Sequence, residues 1–445
     1  MNHEKIDEAF EKVRAIDQSG YELNSVLAIT QDLMINDLPG PFAGIPVLIK
    51  DNIEAIGLPA TAGSLALADC TVVRDSTIAK RLRAAGATII GSTNLSEWAN
   101  IRSGKSTSGW SAVGGLTANP WKHAHSAGGS SSGSGAAVAA GLVHMAVGSE
   151  TDGSIVCPAS LNGCVGIKPT VGSIPRDAMI PISASQDTPG PMAQTVSQAA
   201  LLLDVLTDKK IYQEAMSANN TICIGVVKEW ATEDSGTNLL FQNLISKLSA
   251  NNIQIKEISL PAPSDADGEE EFKVLMHELN EDLVKYLGSR AGAKIKTLAD
   301  VVAFNNANKD TELKYFGQEY FEQALTLGGR NSDYEKLRNS NLDWAKNKVL
   351  GPAFSECDIL LGETYAPAWI SNLGGGDDFA SATWITMAPA ILGTPIGAVP
   401  MGLVDGLPVA VGVVSRANEE TLLIQAMAMI EKTLDLGVLK PSFLK

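Results

Sequence analysis

The sequence predicts an α/β layer architecture. Helix-like and strand-like segments alternate over 76–91 and again over 136–149, and short apolar runs recur with the length of buried strands. A more charged stretch at 261–350 reads as helical and is expected to form a cap over the sheet. At 445 residues, 45% hydrophobic and 19% charged, the chain can bury a large core; length alone would allow two or three domains.

Each element has its own signal. MNHEKIDEAFEKVRAI (1–16) is a charged amphipathic helix without the apolar core of a signal peptide, so the expected location is cytoplasmic. GIPVLIKDN (44–52) is a buried strand: Ile45, Val47, Leu48 and Ile49 form its apolar run and Lys50 closes it. GGSSSG (128–133) runs straight into an alanine- and valine-rich stretch, 136–143, that reads as a buried helix. GSETDGSI (148–155) reads as a glycine-bounded turn leading into a short strand at 155–157. EEEFKVLMHELNEDLVKYL (269–287) belongs to the helical stretch. The longest apolar segment, 387–403, is interrupted by Pro389, Pro395 and Pro400 and does not suit a membrane span.

The two loops carry serines, and a serine hydroxyl near neutral pH needs a positioned base. The five histidines (His3, His123, His125, His144 and His277) form no motif with a serine. A lysine can replace histidine if burial keeps it neutral, and Lys50 lies in an apolar strand. A strand-end lysine reaching solvent is the other reading of that position. Gly129 to Gly133 also fits G-x-S-x-G, which would make Ser131 the nucleophile of an α/β-hydrolase elbow; that needs a later histidine, and only His144 and His277 follow. A phosphate loop would need Gly-Lys-Ser/Thr where the chain has Gly133-Ser134-Gly135. A flexible linker does not suit a loop that enters a buried helix at once. In the second loop, Gly148 and Gly153 let backbone N–H groups turn inward as an oxyanion hole requires, with Ser154 beside it.

Together these segments resemble the amidase signature family. The family pattern Gly-Gly-Ser-Ser-Gly-Gly-Ser, Gly-Thr-Asp-x-Gly-Gly-Ser-Ile, Pro-Ala and Gly-x-Lys-Pro-Thr is met at 128–134, 148–155, Pro158-Ala159 and 166–170. GIPVLIKDN, QDTPGPMA (186–193), YFGQEYF (315–321) and VPMGLVDGLPV (399–409) extend the resemblance over essentially the whole chain. It implies a central mixed β-sheet flanked by helices on both faces, an α/β/α sandwich with a helical cap. It also implies one amidase domain over 1–445, with the signature core at about 44–200 and the cap at about 261–350.

The resemblance further implies a Ser-cisSer-Lys triad. Ser154 would be the acyl-forming nucleophile, Ser130 the bridging serine beside a cis peptide bond, and Lys50 the base. The backbone N–H groups of Thr151, Asp152, Gly153 and Ser154 would form the oxyanion hole, and Ser131 would support the bridge by hydrogen bonding. Tyr315, Phe316, Tyr365, Trp369 and Trp384 fall in regions that line the substrate pocket in relatives.

The variants ETDGSIVCPA (150–159), FGQ and APAW (366–369) look most like the peptide amidase branch, which deamidates C-terminal peptide amides. Alternatives are the glutamine-hydrolysing A subunit of a tRNA-dependent amidotransferase, or an aryl acylamidase or carbamate hydrolase of the same family. Two departures bear on the choice. Many relatives, those A subunits included, have Gly-Gly-Ser-Ile-Arg where this chain has Gly153-Ser154-Ile155-Val156, which removes an anchor for a carboxylate-bearing substrate. The usual Arg-Ser-Pro before the first loop is His125-Ser126-Ala127, and the connection 27–40 is shorter than expected, as if a helix had been trimmed.

Lys plus Arg total 34 against 50 Asp plus Glu, a net charge of −16 that disfavours nucleic acid and anionic membrane as partners. The five cysteines show no Cys-x-x-Cys spacing, and His123-x-His125 has no third ligand spaced with it, so neither a metal nor a cofactor is expected. The expected partner is a small-molecule or peptide amide substrate, bound by a monomer or homodimer.

Overall fold

The computed structural model describes residues 4–30, 38–218 and 221–444. Half of the shortened 27–40 connection, residues 31–37, therefore lies outside the described residues, as does His3. The strands are β1 Val26–Ile29, β2 Pro46–Lys50, β3 Thr88–Thr93, β4 Trp110–Ser111, β5 Gly115–Leu116, β6 Met145–Glu150, β7 Val165–Lys168, β8 Thr188–Ala193, β9 Cys223–Val227, β10 Gln254–Ile258, β11 Ile359–Glu363, β12 Ile396–Val404 and β13 Leu407–Val414. β4 and β5 pair separately; the others form an 11-stranded sheet in the order β1-β3-β2-β6-β8-β7-β12-β13-β11-β9-β10. The sheet is mixed: β3, β2 and β6 run parallel, as do β11, β9 and β10, while the strands between them pair antiparallel.

Both faces of this sheet are covered, and the period-2 alternation of its strands sorts residues between two cores. Leu48, Ala146, Leu360 and Ala398 enter one core, which also takes Ile6 and Ala9 of the helix Glu4–Lys12 and residues of the helices Ser132–Ala139 and Val156–Asn162. Val47, Ile49, Val147, Leu361 and Val399 enter the other, against the helices Thr77–Ala84, Val196–Thr207, Ser235–Ala250 and Glu420–Leu434. This is the α/β/α sandwich expected from the sequence.

The helix expected at 136–143 begins four residues earlier, at Ser132, because the glycine-serine loop itself winds into the first turn. It ends at Gly141 (φ +68°), whose N–H bonds the Val138 carbonyl while Leu142 N–H reaches Ala137. That paired closure is a Schellman stop. The strand expected at 155–157 is instead the start of the helix Val156–Asn162. Glu150 explains the difference: its carboxylate accepts Ile155 N–H at 2.6 Å and Val156 N–H at 2.9 Å, capping a helix whose first turn also accommodates Pro158.

Within 261–350 the chain forms the helices Asp265–Ser289, Leu298–Ala307, Glu319–Leu327 and Ser332–Asp343. Leu275, Met276, Leu279 and Leu283 make a third core with Ala62, Trp98 and Ile180 of the sheet-bearing part. Arg290 pins the end of the long helix: it is 2% exposed and donates to the carbonyls of Pro59 and Cys70 at 2.8 and 3.0 Å. Among the described residues no helix is long and apolar enough to cross a membrane. Replacing Arg290 by methionine keeps the bulk but strands those carbonyls, at a cost of about 1 to 3 kcal/mol for each buried group left unpaired. Arg290→Met is expected to lower the thermal unfolding midpoint by several degrees, measured by circular dichroism or calorimetry.

Candidate active site

The site gathers where β2, β6 and the N-terminal ends of two helices meet. β2 runs parallel to β6 with Leu48 opposite Ala146 and Ile49 opposite Val147, so Lys50 at the end of β2 is carried to Ser149 near the end of β6. Lys50 has no exposed surface. Its Nζ lies 2.8 Å from Ser130 Oγ, 3.0 Å from Ser149 Oγ and 3.1 Å from the Ser149 carbonyl. The solvent-seeking reading of this lysine is therefore set aside by the geometry. Burial pulls its pKa down to about 7, against the opposing charges of Asp187 and Glu150.

Ser130 follows a cis Gly129–Ser130 peptide bond, and its carbonyl accepts Ser96 N–H at 3.1 Å. Ser131, next along, closes the loop onto β6. Its hydroxyl donates to the Ser149 carbonyl at 3.0 Å and accepts Ser149 N–H at 3.1 Å, while its own N–H donates to the Ser154 carbonyl at 3.1 Å. One residue thus ties together the loop of Ser130, the strand that holds Lys50's partners, and the loop of Ser154.

Ser154 stands two residues before the helix Val156–Asn162 and is 9% exposed. Gly153 before it has φ +75°, and a Cβ there would lie 3.0 Å from the Tyr365 hydroxyl. Glycine is thus required twice over, for conformation and for space. Thr151 Oγ1 donates to Asp187 Oδ1 at 2.7 Å. Burial lifts the Asp152 carboxyl to about 6, with Thr386 as a hydrogen-bond partner opposing the shift. Val156, at the position of the missing arginine, is fully buried in the core.

The aromatic candidates separate. Tyr365 is brought to Gly153, and the backbone carbonyl of Trp369 accepts Ser126 N–H at 2.7 Å, two residues before the first loop begins. Phe316 packs instead under the Arg102 guanidinium (4.3 Å to the ring centre) and against Trp110, which Tyr315 also meets edge-on. Trp384 joins Trp230 and Trp344 in an aromatic cluster. His144 and His277 do not serve Ser131: their Nδ1 atoms pair with Gln194 Oε1 and the Gly329 carbonyl.

Three participants were not singled out in the sequence: Ser149, Glu150 and Asp187. Ser149 and Glu150 are polar residues ending an otherwise apolar strand, MAVGSE, which is a usable signal. Asp187 lies in the QDTPGPMA segment, but its contact depends on β8 folding back antiparallel on β6 with Glu150 opposite Thr188.

Comparison with known proteins gives this arrangement its class. The amidase family model matches residues 6–424. A probable amidase of Arabidopsis thaliana is 35% identical over 82% of this chain and 73% of its own length. The A subunit of the glutamyl-tRNA(Gln) amidotransferase of Methanococcoides burtonii is 31% identical over 94% of this chain and 90% of its own. Among solved structures, a peptide amidase in complex with the competitive inhibitor chymostatin superposes with a TM-score of 0.92 and 36% identity, covering 99% of this chain and 96% of that one. The native peptide amidase of Stenotrophomonas maltophilia gives 0.89 and 35%, over 98% and 94%. The protein is a hydrolase acting on amide C–N bonds. It belongs to the amidase family.

Gly148 offers a test of the packing behind the site. A Cβ at this position would lie 2.9 Å from Ser131 Oγ and 3.0 Å from Met192 Sδ. Gly148→Ala is expected to displace Ser131, and with it the Ser130 loop that Ser131 holds, and to lower kcat on the order of 10-fold to 100-fold. Circular dichroism should show the fold retained.

Proposed function

We propose that this protein is a peptide amidase, hydrolysing the C-terminal carboxamide of peptides to a carboxylate and ammonia, with 1–445 acting as one catalytic domain. The observation that carries the mechanism is the 2.8 Å contact between Ser130 Oγ and a fully buried Lys50. The likeness to peptide amidases at 36% identity over nearly the whole chain supports the substrate class.

A neutral amine has two N–H donors and one lone pair. The Ser149 carbonyl and hydroxyl accept the two N–H groups of Lys50, which leaves the lone pair to accept the Ser130 O–H. In this reading Ser154 Oγ attacks the carboxamide carbon as its proton passes to Ser130 Oγ and that of Ser130 passes to Lys50 Nζ. The new C–O bond and the negative oxygen of the tetrahedral intermediate form together. Backbone N–H groups of 151–154 stabilise that oxygen, each worth about 3 to 4 kcal/mol in such sites. The C–N bond then breaks as the proton returns through Ser130 to the leaving nitrogen, giving ammonia and an acyl ester on Ser154. Water, deprotonated by the same relay, attacks the ester; release of the acid restores Ser154. Overall, one amide and one water become one acid and one ammonia, without a cofactor. Tyr365 is the aromatic assigned to contact the bound substrate, a reading supported by its hydroxyl lying beside Gly153.

The test is ammonia release by the purified protein from a panel of a C-terminal peptide amide, short aliphatic and aromatic amides, an anilide and glutamine. Release from the peptide amide, lost in Ser154→Ala, is expected. Anilide cleavage alone would indicate an aryl acylamidase, and activity on glutamine alone an amidotransferase component.

The base must be neutral to accept a proton, and Lys50 is neutral above about 7. kcat/KM is therefore expected to fall tenfold per pH unit below about 7 and to level off above it. A profile flat from pH 5 to about 9 would remove lysine as the base.

A further inference from the structure

The last part of the loop between β7 and β8 is held by the cap. In 183–186 every residue bonds a carboxylate of the helix Asp265–Ser289. Ser183 Oγ donates to Glu278 Oε2 at 2.6 Å, and Ser185 N–H donates to the same oxygen at 3.0 Å. Ala184 N–H donates to Asp282 Oδ2 at 2.8 Å, and Gln186 Nε2 to Glu271 Oε1 at 2.9 Å. Those carboxylates are fixed from behind by the cap itself. Tyr334 donates to Glu278 at 2.6 Å, and Arg330 donates to Asp282 at 2.8 and 3.0 Å.

The strap ends in Asp187, which is 3% exposed. Its Oδ2 accepts the N–H groups of Ile182 and Ser183, both at 2.9 Å, so it closes its own loop. Its Oδ1 accepts the Thr151 hydroxyl at 2.7 Å. A continuous path of hydrogen bonds therefore runs from Tyr334, through Glu278, Ser183 and Asp187, to the first residue of the candidate oxyanion loop.

We propose that Asp187 is a positioning residue for amide hydrolysis, tying the oxyanion loop at Thr151 to the helical cap through the strap 182–187. The inference rests on the assignment of 151–154 and Lys50 above. Asp187 also acts on the base: its charge and that of Glu150, at the end of β6, favour protonated Lys50. Arg176 faces Asp187 at 3.9 Å, and Lys168 of β7 faces Glu150 and Asp152. Removing the charge of Asp187 without changing its shape should thus make Lys50 easier to deprotonate, while loosening Thr151.

The test measures the second-order rate of Ser154 labelling by a fluorophosphonate, and kcat and KM for the best primary amide, across pH for wild type, Asp187→Asn and Thr151→Val. Asp187→Asn is expected to move the acid limb below the wild-type position and to lower the plateau on the order of 10-fold to 100-fold, with KM little changed. Thr151→Val retains the charge and the backbone N–H, so its plateau should fall while its acid limb stays in place. A merely structural aspartate would lower the unfolding midpoint without moving the limb, and that result overturns the proposal. Should Asp187→Asn fail to fold, Thr151→Val decides alone: wild-type labelling and kcat would overturn it. Labelling does not depend on which amide is cleaved. A wild type that labels at Ser154 but releases no ammonia from peptide amides would remove the peptide-amide reading and leave this test intact.

Discussion

The site depends on burying a lysine so that its uncharged form is favoured. An ammonium taken from water into a protein interior costs several kcal/mol even after relaxation, whereas the neutral amine needs only its hydrogen bonds satisfied. Lys50 meets that condition through Ser149 and Ser130. The requirement propagates outward. β2 must end against β6, because Ser149 supplies two of the contacts, and the Ser130 loop must stay against β6, which Ser131 secures from both sides of the Ser149 peptide. The helix that follows the loop is wholly buried. Its first turn therefore cannot drift without disturbing both the core and the contacts of Lys50.

The mixed topology serves the same end. β2 and β6 lie side by side in parallel, so their C-terminal ends finish together and place Lys50 beside Ser149. β8 returns antiparallel to β6 and brings the strap 182–187 to the end where Thr151 leaves the sheet. A parallel β8 would carry that end of the strand away from Thr151. The cap is likewise more than a cover, since its acidic helix face binds consecutive residues of the strap.

Much of this was legible in the sequence, for identifiable reasons. Lys50's strand is local: an apolar run ending in one polar residue, and it forms over Pro46–Lys50 within the expected 44–52. The alternation that predicted layers is also local, and so is the acidic, leucine-spaced helix of the cap. Errors arose where a distant group decides. The 155–157 run is apolar enough for a strand, yet Glu150 satisfies the orphan N–H groups of a helix start and the segment winds instead. Phe316 was a reasonable pocket aromatic, but Arg102 and Trp110 enclose its ring. Asp187 lies in the QDTPGPMA segment that carries the resemblance, but its partner Thr151 is set by a strand pairing that the segment alone does not reveal.

The charge balance around Ser154 shows why a glutamate can sit so close to the proposed nucleophile. The N-terminal end of a helix carries partial positive charge, and Glu150 places its carboxylate there, taking the N–H groups of Ile155 and Val156. Those donors are then committed to the helix start, and the Gly153 N–H is also drawn toward the same carboxylate. Burial favours the neutral form of Glu150, and Lys168, itself fully buried, opposes that effect. Asp187 and the same glutamate pull Lys50 toward its protonated form while burial pulls it the other way, and the pKa of the proposed base comes down to about 7. With a valine at 156 in place of arginine, no cation follows Ser154 in the helix to draw in a substrate carboxylate. A neutral carboxamide end is the kind of group that such a site admits without an unpaired charge.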